Sequence, residues 1–509
     1  MNALAPRRVV ARNFTFPVAT GGWNAIDALD AMKPDEAETL INWFPETTYS
    51  RLRRGFAEFC DIGVAQPVET LAAYNGASDE LLAFCDDTWY EVTTGAAVSL
   101  VGSLTGARWD TTNFATAAGQ YLLAANGSDT PHVYDGATMV PVANTVGGVA
   151  STLNLHRVCI FNQRVYYAEK ESLSVWYLPV GVYQGALTEF DIGPLCTKGG
   201  SIAKIATWTR DNAAAGANEM LVIVTDQGEV FVYLGDYPGG AWNLSARFAV
   251  GEPVAGAESV VRLGPDCILL GEDGFQPLAH YLQLGQSQAS AVAISRKIGN
   301  AVTAAVRAAK TEAGWQGLLY PRANMLIFNI PQGSGVFYQF VVNTLTGAWC
   351  QWQGQNAYCW ALHIADPYFG GADGKVYIAD SGTSDNGADI VAEYRGSYQY
   401  VGGEALIKRV SMARPVFQTT GPITVAFGVD VDFANTSLTA PVSSLAAGSL
   451  WGSAVWGTGV WGSGLTLQNQ WVSVGAMGYA MAPHMIIQTG SIQCNLMNIG
   501  LIYERGAFI

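Results

Sequence analysis

The chain has 509 residues, half of them hydrophobic and only 14% charged, where an average globular domain carries about a quarter charged. That excludes a largely disordered protein. The net charge of −15 also excludes tight sequence-independent DNA binding, which needs clustered positive charge on the phosphates, although an acidic wall past which DNA slides stays compatible.

The opening MNALAPRRVVARNF is not followed by an apolar stretch of signal-peptide length. No later window reaches about 18 apolar residues, so neither that export route nor a membrane-spanning helix is expected. Residues 1–60 read as an N-terminal arm with one short helix after Pro34, where Asp35, Glu36 and Glu38 would sit at the positive end of its dipole. RLRRGF at 51–56 is the densest basic cluster, read as a solvated strand or one facing an acidic partner, with phosphate contact as the alternative.

Glycine (57 residues) is matched by as many aromatics, with Trp 15, Tyr 22 and Phe 20. This pairs turn-formers with strand-formers, so many short strands joined by tight turns are expected. From 61 to 394 one unit recurs: an apolar strand, a turn rich in Asp, Asn and Gly, then an aromatic strand. LLAFCDDTWYEV at 81–92, RVYYAEKESLSVWYL at 164–178 and LVIVTDQGEVFVYL at 221–234 are examples. The turns fall near 87, 128, 170, 227, 273, 333 and 373, a spacing of about 40 to 60 residues, which suits a four-stranded sheet with its loops. A lone hairpin buries one face only, so radial stacking of the sheets is the economical solution. The expected fold is mainly β: a β-propeller of short antiparallel blades over 61–394 plus an accessory antiparallel β domain over 395–509, with a β-sandwich pair as the alternative. Closure could borrow a strand from the N-terminal segment.

Inside the repeat, AISRKIGNAVTAAVRAAK at 293–310 places Ile294, Ile298, Val302 and Val306 at i+4 spacing, which predicts a helix. Its Arg296, Lys297, Arg307 and Lys310 read as a solvated face, with a DNA-facing role as the sharper alternative. Beyond 394 the strands lengthen, and Arg395, Lys408, Arg409 and Arg414 make this region locally basic, suited to a neighbouring subunit's acidic surface. Between its strands lies WGSAVWGTGVWGSG at 451–464. Trp451, Trp456 and Trp461, spaced by five, match neither a strand nor a helical face, so the segment is read as a long loop with apolar anchors.

Signs of chemistry are sparse. The eight cysteines (Cys60, Cys85, Cys159, Cys196, Cys267, Cys350, Cys359, Cys494) include no C-x2-C pair and read as reduced, buried small hydrophobes. The five histidines, His132, His156, His280, His363 and His484, form no ligand pattern, so no metal and no cofactor is expected. Signatures for acyl transfer, P-loop chemistry and dinucleotide binding are missing. Asp226, Asp273 and Asp373 are the carboxylates a propeller glycosidase would use, but each lies in an Asp-Gly or Asp-x-Gly turn that backbone geometry alone explains. Asp430 and Asp432, two apart on one strand, point the same way and could share a cation or a proton; an exposed strand end or subunit contact is the plainer reading.

The segments GGWNAIDALDAMKPDEAETLINWFPETTYSRLRRGF at 21–56, KRVSMARPVFQTTGPITVAFGVDVDF at 408–433 and the Trp-Gly loop, in this order around blade-like repeats, resemble the tail nozzle proteins of short-tailed bacteriophages, also called tail hub or packaged-DNA stabilisation proteins. The resemblance implies a non-enzymatic structural virion protein, made in the host cytoplasm and resident in the virion tail. It further implies a homo-hexamer below the tail adaptor, neighbouring tail fibre or spike proteins, that retains the double-stranded genome and conducts it through the lumen without sequence-specific binding. Trp451, Trp456 and Trp461 would then form a channel tip or gate. The competing reading is a carbohydrate-binding or glycan-cleaving propeller used in host attachment, which predicts a polar, aromatic-lined pocket on one face.

Overall fold

The computed structural model describes residues 11–105, 108–212, 216–254, 259–264, 266–281, 293–443 and 464–506. The chain forms two compact units, one of 58–338 with 356–379, the other of 1–57, 339–355 and 380–509.

The larger unit is a β-propeller. Six small antiparallel sheets follow one another along the chain: blade 1 spans 68–101, blade 2 110–141, blade 3 155–191, blade 4 202–249, blade 5 260–277 and blade 6 359–379. Among the described residues blades 1 to 4 are four-stranded and blade 5 three-stranded, while blade 6 gains its fourth strand from Phe56–Asp61 far upstream. The first strands of blades 1 to 4 pack side by side in sequence, and Val68–Asn75 meets Cys359–His363 to close the circle. The seventh expected unit, with its turn near 333, is not a separate sheet. Its strands, Met325–Pro331 and Phe337–Asn343, belong to a larger sheet, and Gln316–Tyr320, which pairs with Met325–Pro331, lies between the first strands of blades 5 and 6.

The physical basis is alternation in each blade's second strand. In blade 1, Leu81, Ala83 and Cys85 face blade 6 while Leu82 and Phe84 face blade 2. In blade 2, Leu122 and Ala124 turn to blade 1, and Leu123 and Ala125 to blade 3. Val165 and Tyr167 against Tyr166 and Ala168 repeat the pattern in blade 3, as do Leu221 and Ile223 against Val222 and Val224 in blade 4. These central strands are apolar on both faces, which is why they read as unbroken hydrophobic runs. The turns after them need a left-handed backbone at one residue, supplied by Gly228, Gly274 and Gly374 with φ of 73°, 98° and 74°.

The helix expected at 293–310 is present as Gly299–Ala309 behind a 3-10 turn, Arg296–Ile298, with Ile298, Val302 and Val306 buried. Of its basic residues, Lys310 is ion-paired with Glu252 and with Glu272 at 2.8 Å, and Arg296 and Arg307 are exposed.

In the second unit the N-terminal arm and the C-terminal region fold together, which replaces the expected boundaries at 60 and 394. One sheet runs from residues 339–343 through Trp349–Trp352, Glu36–Ile41, Ile390–Gly396 and Met481–Thr489 to Ala426–Val431. In the other, Lys408–Thr419 pairs with Cys494–Arg505, which pairs with Arg12–Pro17 and Ser50–Leu52. The short helix expected after Pro34 is therefore a strand, Glu36–Ile41. Ten residues between Pro34 and Pro45 hold too few turns for a self-supporting helix, while flanking strands satisfy this backbone on both sides. The Glu36 carboxylate, instead of serving a helix dipole, is buried and accepts from Asn24 Nδ2 at 2.7 Å and the Lys33 amide at 3.2 Å.

Phe84, fully buried at the interface of blades 1 and 2, gives a direct test of inter-blade packing. Phe84→Ala should lower the unfolding free energy by about 3–5 kcal/mol, read by chemical denaturation; a loss under about 1 kcal/mol would show that this interface does not hold the ring.

Candidate functional site

Trp451, Trp456 and Trp461 lie outside the described residues. The turn aspartates are engaged as turn residues: Asp226 accepts from the Ser201 amide and hydroxyl, both at 2.9 Å, Asp273 from the Gly251 amide at 2.9 Å and Asp373 from the Tyr377 hydroxyl at 2.7 Å. Asp430 and Asp432 do not share a ligand. Asp430 Oδ2 accepts from Arg395 Nε at 2.8 Å, and Oδ1 from the Thr436 amide and hydroxyl. Asp432 sits past the strand end at φ 50° and caps the amides of Tyr479 and Ala480 at 2.7 and 2.9 Å. The strand's alternation is broken between them.

Arg395 is therefore an internal partner rather than a surface for another subunit. With Glu393, Asp430 and His484 it forms a compact charged cluster; His484 Nε2 lies 3.1 Å from Glu393 Oε1. The neighbouring imidazole and guanidinium hold the Glu393 carboxyl below its ordinary value. Lys408 is also buried, donates to the Tyr479 carbonyl at 2.6 Å, and is pushed below the usual lysine range by burial. The Arg414 guanidinium lies 5.0 Å over the Trp471 ring. Of the four expected basic residues, Arg409 alone is exposed.

The RLRRGF cluster is solvated only in part: Arg54 is exposed, but Arg51 and Arg53 are engaged inside the fold. The Arg53 side chain is completely buried. Its Nη1 and Nη2 bind both Asp385 oxygens at 2.7 and 2.5 Å, Nε donates to Asn42 Oδ1 at 2.8 Å, and the carbonyls of Arg54 and Gln353 accept the rest. The planar five-donor fork of arginine is filled, an arrangement that lysine cannot reproduce. Arg51 pairs with Glu46 at 2.9 Å and lies over Phe44.

In the propeller, the first strands are tied to one another by side chains that reach across blades. Thr70 Oγ1 accepts from the Trp109 amide, and Asp110 Oδ2 from the Val158 amide. Lys204 Nζ meets Asp110 Oδ1 at 2.7 Å inside the fold. His156 Nε2 lies 3.1 Å from the Ile202 carbonyl and its Nδ1 3.1 Å from that of Ala168. Burial, helped by the charge of Arg157, pulls the His156 pKa down to about 4. The eight cysteines are free, seven of them buried, and burial pushes thiols such as Cys85 up to about 11. Among the described residues no group of three His, Cys, Asp or Glu side chains could hold a metal ion.

One open cavity of about 540 Å³ is lined by Tyr74, Gln120, Tyr121, Asp135, Thr138 and Tyr183, with small and apolar residues between them. It is built from the connection between the first and second strands of blades 1 and 2, the connection between the third and fourth strands of blade 2, and the corresponding loop of blade 3. Strands alternate direction in an antiparallel blade, so these connections all leave on one face. The Asp- and Gly-rich turns prominent in the sequence join second to third strands and leave on the opposite face, so they gave no hint of it.

Tyr74 forms the cavity's fixed wall. It is buried, donates to the Gln120 carbonyl at 3.1 Å and meets Tyr134 edge-on at 5.2 Å. Gly76 leaves room for its ring, since a Cβ there would come within 2.2 Å of it. Tyr121 and Tyr183 pack at 4.4 Å between centroids, tilted by 43°. Asp135 Oδ1 accepts the amides of Thr138 and Ala137 at 2.7 and 2.9 Å, and these bonds lower its pKa; Oδ2 has a 3.3 Å contact from the Thr138 hydroxyl. An ionised acceptor and an aromatic surface thus face one space.

No family model and no curated protein matches the chain. Among solved structures it is similar to two described as BBS1N in complex with ARL6DN. The one soaked with lead has a TM-score of 0.40 and 9% identity over 65% of this chain and 99% of that chain; the one soaked with mercury has 0.42 and 10% over 66% and 99%.

Two predictions follow the buried polar groups. Arg53→Met should destabilise its unit by about 3–5 kcal/mol by leaving Asp385 buried and unpaired, and Arg53→Lys should not restore it, as thermal unfolding of the variants would show. His156 stays neutral in the fold to about pH 4 but protonates near 6.5 when unfolded, so the unfolded state binds more protons between these values. Its contribution, about 3 kcal/mol, is present above pH 6.5 and lost as pH falls toward 4; denaturation midpoints across this window should flatten in His156→Gln.

Proposed function

We propose that the chain is a tail nozzle subunit of a short-tailed bacteriophage: a structural virion protein whose six copies close into a ring or tube below the tail adaptor. The ring retains the packaged genome and conducts it during ejection. One observation carries this reading. The two segments that hold the sequence resemblance and are described here, 21–56 and 408–433, lie more than 350 residues apart and yet fold into one compact unit. Glu36–Ile41 joins Ala426–Val431 through Ile390–Gly396 and Met481–Thr489, and Ser50–Leu52 joins Lys408–Thr419 through Cys494–Arg505. A motif set scattered by chance over a propeller protein has no reason to assemble in this way.

Two further facts support it. The propeller is the fold the resemblance implies, and the net charge of −15 suits a wall from which DNA is repelled rather than held. Identical copies meeting head to tail through heterologous contacts form a closed ring when the rotation closes. Tail fibre or spike proteins would neighbour this ring, and Trp451, Trp456 and Trp461 keep the tip or gate role that the sequence suggests.

Negative-stain electron microscopy over a concentration series, with and without the adaptor, tests the proposal. Six-fold rings with a central hole are the expected outcome; particles that remain single in both conditions would overturn it. In assembled virions, removal of 451–464 should cause loss of packaged DNA or of infectivity, measured by genome content and plaque count.

A further inference from the structure

We propose that the cavity lined by Tyr74, Tyr121 and Tyr183 is a binding site for a neutral hexopyranose unit of a glycan. This goes beyond the nozzle reading and does not depend on it.

The chemistry of the lining selects the ligand class. A pyranose has an apolar C–H face and a rim of hydroxyl donors, and it needs an aromatic surface for the first and strong acceptors for the second. Tyr121 and Tyr183, in contact at 4.4 Å, supply the surface. Asp135 Oδ2, in contact with the Thr138 hydroxyl at 3.3 Å, supplies a charged acceptor, and charge-assisted bonds are about twice as strong as neutral ones. The exposed Gln120 amide and Thr138 hydroxyl line the same space and both donate and accept.

The cavity volume of about 540 Å³ falls in the range of roughly 300–1,000 Å³ typical of small-ligand sites. Other occupants fit less well. Among the described residues no Lys or Arg lines the cavity, so a phosphate, a sulfated sugar or a sialic acid would meet the Asp135 carboxylate with no counter-charge from them. A purely apolar ligand would strip water from Asp135 and Gln120 without replacing their bonds.

The wall is also pre-formed. Tyr74 is held by the Gln120 carbonyl, and Gly76 and Gly136 approach its ring and hydroxyl where larger residues would collide. The Asp135 carboxylate is pinned by two backbone amides. Little ordering is left to be done on binding, which matters for weak sugar ligands.

Saturation-transfer NMR on the full chain tests the site, with the methyl α-glycosides of glucose, galactose and mannose as probes and the methyl glycoside of N-acetylneuraminic acid as the anionic comparison. Transfer to ring protons of at least one neutral glycoside, and none to the anionic one, is expected. Tyr183→Ala and Asp135→Asn should each weaken binding about ten-fold, and Asp135→Asn keeps the turn's acceptor, so it guards against a folding artefact in the first variant. Absence of transfer from all three neutral glycosides, equal transfer from the anionic one, or binding that survives both substitutions overturns the proposal. None of these outcomes bears on whether the chain forms six-fold rings.

Discussion

The propeller depends on one constraint: consecutive residues of each blade's second strand serve different neighbours. Leu82 and Phe84 pack on blade 2 while Leu81, Ala83 and Cys85 pack on blade 6, and the same division runs through blades 2, 3 and 4. A blade taken alone would expose one of these faces, so none is stable without both neighbours, and the circle has to close. Closure brings together parts of the chain some 300 residues apart, at an entropic cost that grows only slowly with loop length. It is secured by Phe56–Asp61 completing blade 6, by the shared cluster of Cys60, Val68 and Cys359, and by the Cys359 thiol at 3.2 Å from the Val68 carbonyl.

Polar groups on the first strands play a different part. Asp110 lies in a largely dry place and is satisfied from two blades, by the Val158 amide and by Lys204. The desolvation of such a pair offsets much of its attraction, so its net stabilisation is small. Its geometry is demanding, however: a one-residue slip of a strand would point Lys204 or Asp110 to the other face. Apolar clusters hold the blades together, and these polar ties set where each strand stops sliding.

How much of this could be read in the sequence follows from the range of the signals. The blade hairpins were legible because an apolar run, an Asp-Gly type turn and an aromatic run are local, and the helix at Gly299–Ala309 was legible from its i+4 pattern. Glu36–Ile41 was misread as a helix because its acidic start and preceding Pro34 are local cues, whereas the strands that claim it come from residues 22–23 and 390–396. Arg53 looked like a surface cation because nothing near it in sequence announces Asp385, 332 positions away. The hairpin at 325–340 had the repeat's pattern but not its independence, since membership of a larger sheet is decided by tertiary neighbours. Tyr74, Tyr121 and Tyr183 escaped notice because their cavity opens on the face opposite the turns that mark the repeat.

The same geometry bears on what the cavity can do. Glycoside cleavage in most families takes two carboxyl groups on either side of the scissile bond, about 5–5.5 Å apart in retaining enzymes and about 6.5–9.5 Å apart in inverting ones. Among the described residues the cavity presents one, Asp135, and the bonds from the Thr138 and Ala137 amides favour its ionised form. A carboxylate stabilised in this way is a good hydrogen-bond acceptor and a poor proton donor, so Asp135 is suited to accept from a hydroxyl and unsuited to protonate a leaving group. The turn aspartates that a propeller hydrolase would draw on, Asp226, Asp273 and Asp373, are held by their own turns and neighbouring loops.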